Sequence, residues 1–200
     1  MDENKVIPLL PLRGMLVFPG MIINLDVGRD RSIKAVESAM AVDRKILLVT
    51  QREAGTIEPN ESDLFTYGVI AEIKQLLKLP NGALRILVEG LSRAKIENVR
   101  DNKDIYFEAE VQGVASIIDD NNEVEALKTM LIETFEQWIL ASKKITSEVL
   151  LTFKDQPDPG RIADMIAGYL TIGIDEKESV LEAINVKDRM NLLYSFLCKE

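Results

Sequence analysis

The sequence contains no histidine, and this absence removes much of the common catalytic machinery. Without an imidazole there is no Ser-His-Asp or Cys-His nucleophilic site, no histidine general base and few ways to hold zinc. Cysteine occurs once, at Cys198, so neither an internal disulfide nor a cysteine metal cluster can form. Because Cys198 lies in an apolar helical stretch, we interpret it as a core or helix-face residue rather than a nucleophile.

The sequence also lacks the glycine-rich loops that hold nucleotide phosphates. The dipeptide Gly-Lys does not occur, which excludes a Walker A loop, and no Gly-x-Gly-x-x-Gly fingerprint is present. Gly90–Ala94 resembles half of a nucleophile elbow, but alanine replaces the last glycine and no histidine can activate Ser92. Most carboxylates lie in charge-mixed runs typical of turns and helix starts. We therefore expect no catalytic, cofactor-binding or metal-binding residues and no enzymatic activity in this chain.

Charge and hydropathy narrow the classes of function and location that remain for this chain. The 200 residues are 46% hydrophobic, which suffices for a buried core, and the net charge is −9 with 24 basic and 33 acidic residues. An acidic chain repels phosphate backbones, so we expect no nucleic-acid partner. Apolar runs such as Ile46–Val49 are far shorter than the roughly 18 residues that cross a bilayer. Met1–Lys5 carries acids where a signal peptide carries bases, which favours a cytoplasmic protein without a membrane partner.

The pattern of apolar residues changes near residue 118. Residues 1–118 show about six strand patterns and one short helix capped by Asp30, which favours a small antiparallel β-barrel or a pair of packed sheets. Residues 119–200 show helical periodicity throughout and predict a helical bundle. The predicted fold is therefore α+β, with a β-rich domain at 1–118 and an α-helical domain at 119–200.

The clearest local unit is a hairpin formed by residues 67–79 and 83–89. If Asn81-Gly82 forms a two-residue turn, Leu77 faces Ile86 on the core side, and Leu76 and Leu87 share the outer face. Two leucines on an outer face could form an exposed binding patch, or another element could cover them. A shift of one residue in register would exchange the two faces.

A second apolar set lies in the segment after the first strand. Met15, Phe18, Pro19 and Met21 flank a predicted turn at Pro19-Gly20, which would lift Phe18 and Met21 to the surface. Methionine is flexible and polarizable, which suits contacts with varied partners. The alternative is a turn packed against the core.

The helical half contains several start signals but no stop signal at its end. Asn121 or Asn122 is predicted to cap a helix toward Ser142, and a shorter helix is predicted to begin at Ser147. Asp158 and Asn185 are predicted to cap two later helices. The last helix carries an apolar stripe of Met190, Leu193 and Leu197. Without a glycine or proline to end it, we expect this helix to continue within a longer protein, as an inter-subunit arm.

Several segments match one family in order and spacing. They are Ile7–Arg13, Val17–Met21, Val27–Arg29, Leu79–Gly82, Leu87–Ala94, Asp158–Asp164 and Lys177–Glu182. Together they closely resemble the N-terminal domain of the Lon ATP-dependent proteases. Arg13 and Arg29 stand in these motifs, and we interpret them as buried ion-pair partners rather than substrate contacts.

The resemblance implies a function for the chain. Lon combines an N-domain, an AAA+ unfoldase that uses ATP and Mg, and a protease domain with a Ser-Lys dyad, and only the first part is matched here. In that family the N-domain helps to hold unfolded or degradation-tagged proteins and supports a hexamer; whether the isolated chain forms a dimer is left open. The alternatives are a module used mainly for oligomerisation and a stand-alone Lon-N-like substrate adaptor. The candidate substrate-binding residues are Met15, Phe18, Pro19, Met21, Leu76 and Leu87.

Overall fold

The computed structural model describes residues 5–102, 105–119, 121–142, 149–154 and 156–199. The chain forms two compact units, residues 1–114 and 115–200, a division close to the boundary predicted at residue 118. Ser147, the predicted start of a short helix, lies outside the described residues.

The first unit is a six-stranded mixed sheet, counted over the described residues, with one long helix. Its elements are β1 (Lys5–Leu12), β2 (Ile22–Val27), α1 (Asp30–Ala41), β3 (Lys45–Thr50), β4 (Tyr67–Lys78), β5 (Leu84–Asn102) and β6 (Tyr106–Val114). The strand order is β2-β5-β4-β3-β1-β6, and an additional pairing of β5 with β6 closes the sheet into a small barrel. The predicted α+β class is confirmed. The sheet is mixed rather than purely antiparallel, because β1 and β3 run parallel.

Buried aliphatic side chains pack against both faces of the sheet. Leu10, Ile46 and Ile86 belong to the larger core, against which α1 packs Ala35 and Val36. Small residues on the buried face of α1 allow the helix to lie close to the strands. The N-cap of α1 is Arg29, so the prediction that Asp30 caps this helix is wrong. Asp30 lies in the first turn instead, where a negative charge favours the helix dipole.

The turn of the β4–β5 hairpin is longer than predicted. Leu79 N–H donates to the Ala83 carbonyl at 2.8 Å, so the loop comprises Pro80, Asn81 and Gly82. Gly82 has a positive φ of 84°, as expected for the left-handed last residue of a three-residue hairpin loop. Proline fixes its own φ near −65°, which suits the turn that begins such a loop.

The longer loop shifts the register of the hairpin by one residue. Leu76 pairs with Ile86 and Leu77 pairs with Arg85, and an irregularity between Ile73 and Gln75 restores the core face further along β4. The predicted faces near the turn are therefore wrong for β4, whereas Ile86 on the core face and Leu87 on the outer face of β5 are as predicted. Leu76 packs against the core, and Leu77 is 58% exposed on the outer face.

Gly90 in β5 lies directly beneath the segment that follows β1. Gly20 N–H donates to the Gly90 carbonyl at 2.8 Å, and Gly90 N–H donates to the Met21 carbonyl at 2.9 Å. A Cβ atom on Gly90 would lie 2.5 Å from the Phe18 carbonyl oxygen. Since that neighbour is backbone, it cannot move away without shifting the segment.

We expect Gly90→Ala to lower the free energy of unfolding by about 1–3 kcal/mol through this overpacking. Gly113→Ala is the matched control, because a Cβ atom at Gly113 in β6 meets nothing within 4 Å. Urea unfolding followed by circular dichroism measures both variants. Equal stability of the two alanine variants would contradict the close approach at Gly90.

The second unit consists of helices around an apolar core. They are α2 (Asn121–Ser142), α3 (Val149–Lys154), α4 (Pro159–Tyr169), α5 (Ile174–Glu182) and α6 (Val186–Leu197). The predicted caps are confirmed at Asp158, whose carboxylate accepts from the Gly160 N–H, and at Asn185, which accepts from the Lys187 N–H. Phe135 packs against Phe153 with ring centroids 5.5 Å apart, which joins α2 to α3.

The last helix is fixed inside its own unit. Met190, Leu193 and Leu197 are buried there, and the continuation of this helix as an inter-subunit arm stays a prediction. The helix ends at Leu197, and Cys198 lies exposed in the following turn rather than in the core.

Arg189 of α6 is fully buried and holds several elements of this unit together. Its guanidinium contacts the Asp164 carboxylate of α4 at 3.3 Å and donates to the Ala183 carbonyl at 2.9 and 3.0 Å. It also donates to Ser116 Oγ at 3.1 Å. These contacts connect α6 with α4, with the end of α5 and with the segment before α2.

Candidate functional site

The candidate residues after β1 are not presented to solvent as a group. Phe18 is completely buried, and Met15 and Met21 are half-buried with their side chains packed against the barrel core. Pro19 is also half-buried. Of the two alternatives for this segment, the structure therefore contains the turn packed against the core, and Phe18 is not lifted to the surface. The hydrogen bonds between this segment and Gly90 hold it there.

The two hairpin candidates lie on opposite faces of the sheet. Leu76 is half-buried on the core side, and Leu87 is half-buried on the outer side. Leu87 has two exposed apolar neighbours on that outer face. They are Leu77, which is 58% exposed, and Ile22, which is 64% exposed. We call Ile22, Leu77 and Leu87 the hairpin patch.

The strand register arranges the hairpin patch as a diagonal row across three strands. Leu87 of β5 pairs with Asn24 and Gln75, while Ile22 of β2 pairs with Glu89. Each apolar residue is thus the diagonal neighbour of the next, a separation of about 7–8 Å across a sheet. A shallow depression of about 510 Å³ lies along this row. It is lined by Asn24, Gln75, Leu76, Leu77, Arg85 and Leu87.

Ion pairs flank the hairpin patch on both sides. Arg85 Nε donates to the Asp26 carboxylate at 2.6 Å, and this hydrogen bond lowers the pKa of Asp26. Lys74 contacts Glu72 at 2.7 Å and Glu89 at 2.9 Å, and these carboxylates raise its pKa. Each flanking cation is therefore paired with at least one carboxylate. The apolar row between them can contact apolar side chains of a partner.

Among the described residues, Arg13 and Arg29 donate to neutral oxygen atoms and not to carboxylates, which differs from their interpretation as buried ion-pair partners. Arg29 donates to the Pro11 carbonyl at 2.6 Å and to Gln51 Oε1 at 2.8 Å. Both arginines donate to the Ile57 carbonyl, at 3.1 Å from Arg13 and 3.3 Å from Arg29. Partial burial, and then the charge of Arg13, lower the pKa of Arg29. The two cations therefore lie close together.

Sequence reasoning missed Ile22 and Leu77 as members of the outer patch. Pro80 carried the signal for Leu77, since a proline at the start of the loop favours the longer turn and the shifted register. The irregularity between Ile73 and Gln75 left no comparable signal, because neither residue type marks a bulge.

Neither a metal-binding cluster nor a membrane-spanning helix occurs among the described residues. No group of three or more histidine, cysteine, aspartate or glutamate side chains in that part of the chain is arranged to hold a metal ion. None of the helices described is both long enough and apolar enough to span a bilayer.

The fold places the chain in a class of α+β domains with solved structures. A structure titled as the N-terminal domain of Mycobacterium avium complex Lon protease matches 98% of this chain and 100% of its own, with a TM-score of 0.81 and 22% identity. A Lon N-terminal domain protein from Xanthomonas campestris matches with a TM-score of 0.68 and 19% identity, over 96% of this chain and 98% of its own. At these identities the likeness shows the fold alone.

The chain belongs to the family described as the ATP-dependent protease La (LON) substrate-binding domain, whose sequence profile matches residues 6–199. It is 49% identical to the Lon protease of Desulforamulus reducens over 199 residues, covering 100% of this chain and 24% of that protein. It is 44% identical to Lon protease 1 of Bacillus subtilis and to the Lon protease of Escherichia coli, covering 100% of this chain and 26% and 25% of those proteins. The chain thus spans about a quarter of the length of these relatives. The resemblance found in the sequence is confirmed.

Proposed function

We propose that this chain captures segments of unfolded or degradation-tagged proteins for a Lon-type ATP-dependent protease in the cytoplasm. Catalysis then belongs to other parts of that enzyme: ATP and Mg to an AAA+ module, and peptide cleavage to a Ser-Lys site. The observation that carries the proposal is the hairpin patch in a member of a substrate-binding family. An unfolded chain exposes apolar side chains, and its receptor needs exposed apolar side chains in turn.

The hairpin patch favours weak and sequence-tolerant contact. Leu77 and Leu87 line a shallow depression rather than a deep cavity, so a passing side chain is desolvated without needing one particular shape. Six copies in a hexamer would raise the overall affinity by presenting several such patches to one chain. Self-association is part of the proposal for this reason.

The proposal predicts selective binding of unfolded protein. Fluorescence anisotropy would compare one labelled protein in its native form and in a permanently unfolded form. We expect the unfolded form to bind and Ile22→Ser/Leu77→Ser to weaken that binding about tenfold, since about 1.4 kcal/mol of apolar contact is lost. Both residues are exposed, so the variant should remain folded.

Val42→Ser is the matched control, because Val42 is 82% exposed just beyond α1 and lies outside the hairpin patch. We expect it to bind the unfolded protein as the wild type does. Equal weakening by both variants would exclude the hairpin patch as the contact. If the wild type binds neither form at high micromolar concentration, the chain is not a receptor by itself, and the oligomerisation alternative replaces the proposal.

A further inference from the structure

The strand β2 lies at the edge of the sheet. Among the described strands its hydrogen-bonded neighbour is β5, and the sheet order ends at β2. The Met21 carbonyl accepts from Gly90 N–H of β5, which fixes the direction of the peptide groups that follow. Because these directions alternate along an antiparallel strand, the N–H and C=O groups of Asn24 and Asp26 point away from β5.

A groove of about 360 Å³ runs along this free edge of β2. Its other wall is the second half of β1 and the residues after it, from Leu10 to Arg13 with Met15. That wall offers little to an added strand. Pro11 has no N–H group, and the Pro11 carbonyl already accepts from Arg29 Nη2 at 2.6 Å.

The edge of β2 lacks proline, lysine and a bulge, three features that commonly prevent strand addition. Its sequence, Ile22–Val27, contains no proline or lysine, and its register with β5 is continuous over all six pairs. Its side chains Ile22, Asn24 and Asp26 are exposed on the outer face. Ile22 belongs to the hairpin patch, so a strand added here would extend the face that carries the patch.

The charge of the groove favours an acidic occupant. Arg13 and Arg29 line it, and within the described residues their hydrogen-bond acceptors are neutral carbonyl and amide oxygens. Asp26, the acid in the lining, is paired with Arg85. The groove therefore contains two cations that a carboxylate of the occupant could neutralise.

We propose that an extended polypeptide segment bearing an acidic side chain adds to the free edge of β2 as a further strand, with its carboxylate near Arg13 and Arg29. Strand addition obtains its affinity from main-chain hydrogen bonds, which every sequence can form. This inference rests on the proposed function, since the added segment is part of the same unfolded substrate. It assigns the mode of binding and a charge preference.

Asn24→Pro tests the edge directly. Proline at this position removes the outward N–H group and leaves the bonds to β5 in place, a position that edge strands tolerate. We expect the variant to bind the permanently unfolded protein about fivefold to tenfold more weakly than wild type, while the control Asn24→Ala keeps its N–H group and stays within about twofold. The unfolding midpoint of each variant establishes that it is folded.

Hydrogen exchange on the wild-type chain tests the same edge without a substitution. The probe is a labelled nonapeptide of alternating threonine and valine with an aspartate at each end. We expect saturating peptide to slow exchange at the Asn24 and Asp26 amides, and to leave the Ile23 and Leu25 amides, which already bond to β5, unchanged. A control peptide with lysine at each end should bind at least about tenfold more weakly, because of the two arginines.

The outcomes separate this inference from the proposed function. If unfolded protein binds wild type but neither Asn24 nor Asp26 gains protection, strand addition is wrong and the receptor function stands. Equal affinity for the aspartate and lysine peptides overturns the acidic preference. If the wild-type chain fails to bind the unfolded protein at all, both proposals fall together.

Discussion

Replacing Arg189 by methionine should cost the helical unit about 3–5 kcal/mol, a large part of the stability of an ordinary domain. Arg189 is fully buried and contacts the carboxylate of Asp164, which is itself only 3% exposed. Methionine would leave that carboxylate and the Ala183 carbonyl buried without this partner. We expect the helical signal in circular dichroism to be lost at a lower temperature and a lower urea concentration.

Arg161→Met is the control for this prediction, since Arg161 lies on α4 and is exposed. This substitution also removes one arginine charge, but it takes no cation away from a buried carboxylate. The free energy of unfolding of Arg161→Met should therefore stay within about 0.5 kcal/mol of wild type. A second substitution, Asp164→Leu, in the Arg189→Met background should recover part of the loss, because the buried charge is then removed as well. Equal unfolding midpoints for Arg189→Met and Arg161→Met would refute the role given to Arg189.

Phe18→Ala should lower the stability of the barrel unit by about 3–5 kcal/mol and leave binding by the folded molecules unchanged. Phe18 is fully buried, so its replacement by alanine creates a cavity. Hydrogen exchange of the β4 and β5 amides reports the loss of stability. Anisotropy, corrected for the folded fraction, reports the affinity for unfolded protein.

Leu77→Ala should have the opposite effects on stability and affinity to those of Phe18→Ala, since Leu77 is 58% exposed in the hairpin patch. We expect its stability to stay near wild type and its affinity for unfolded protein to fall. If Phe18→Ala instead binds weakly while fully folded, Phe18 is a substrate contact despite its burial, and the hairpin patch loses its support.

The sequence was sufficient for those parts of the fold that depend on local patterns. The apolar spacing along α4 and α6 and the caps at Asp158 and Asn185 depend on neighbouring residues only, and the structure contains them as predicted. The strand β4 was recognisable for the same reason, and so was β5 as far as Glu89; its continuation through Gly90 to Asn102 was not predicted. The parallel pairing of β1 with β3 was not, because it joins distant segments and leaves no local pattern.

The candidate site depended on features that local patterns determine poorly. One residue more in the hairpin loop moved Leu76 to the core side and Leu77 to the surface. The sequence left Phe18 either exposed or packed against the core, because the turn signal of Pro19-Gly20 does not indicate which side of the turn is covered. The backbone hydrogen bonds that hold this turn come from Gly90, far along the chain.

The position of β1 in the barrel also bears on how the protein is made. The strand β1, which is synthesised before the other strands of its unit, pairs with β3 on one side and with β6, the last strand of that unit, on the other. The barrel therefore cannot close until synthesis has passed Val114. Until then, Ile7 and its neighbours in β1 lack the partner strand β6. Because non-local pairings of this kind fold slowly, the nascent chain is itself a transiently unfolded polypeptide of the sort that chaperones cover.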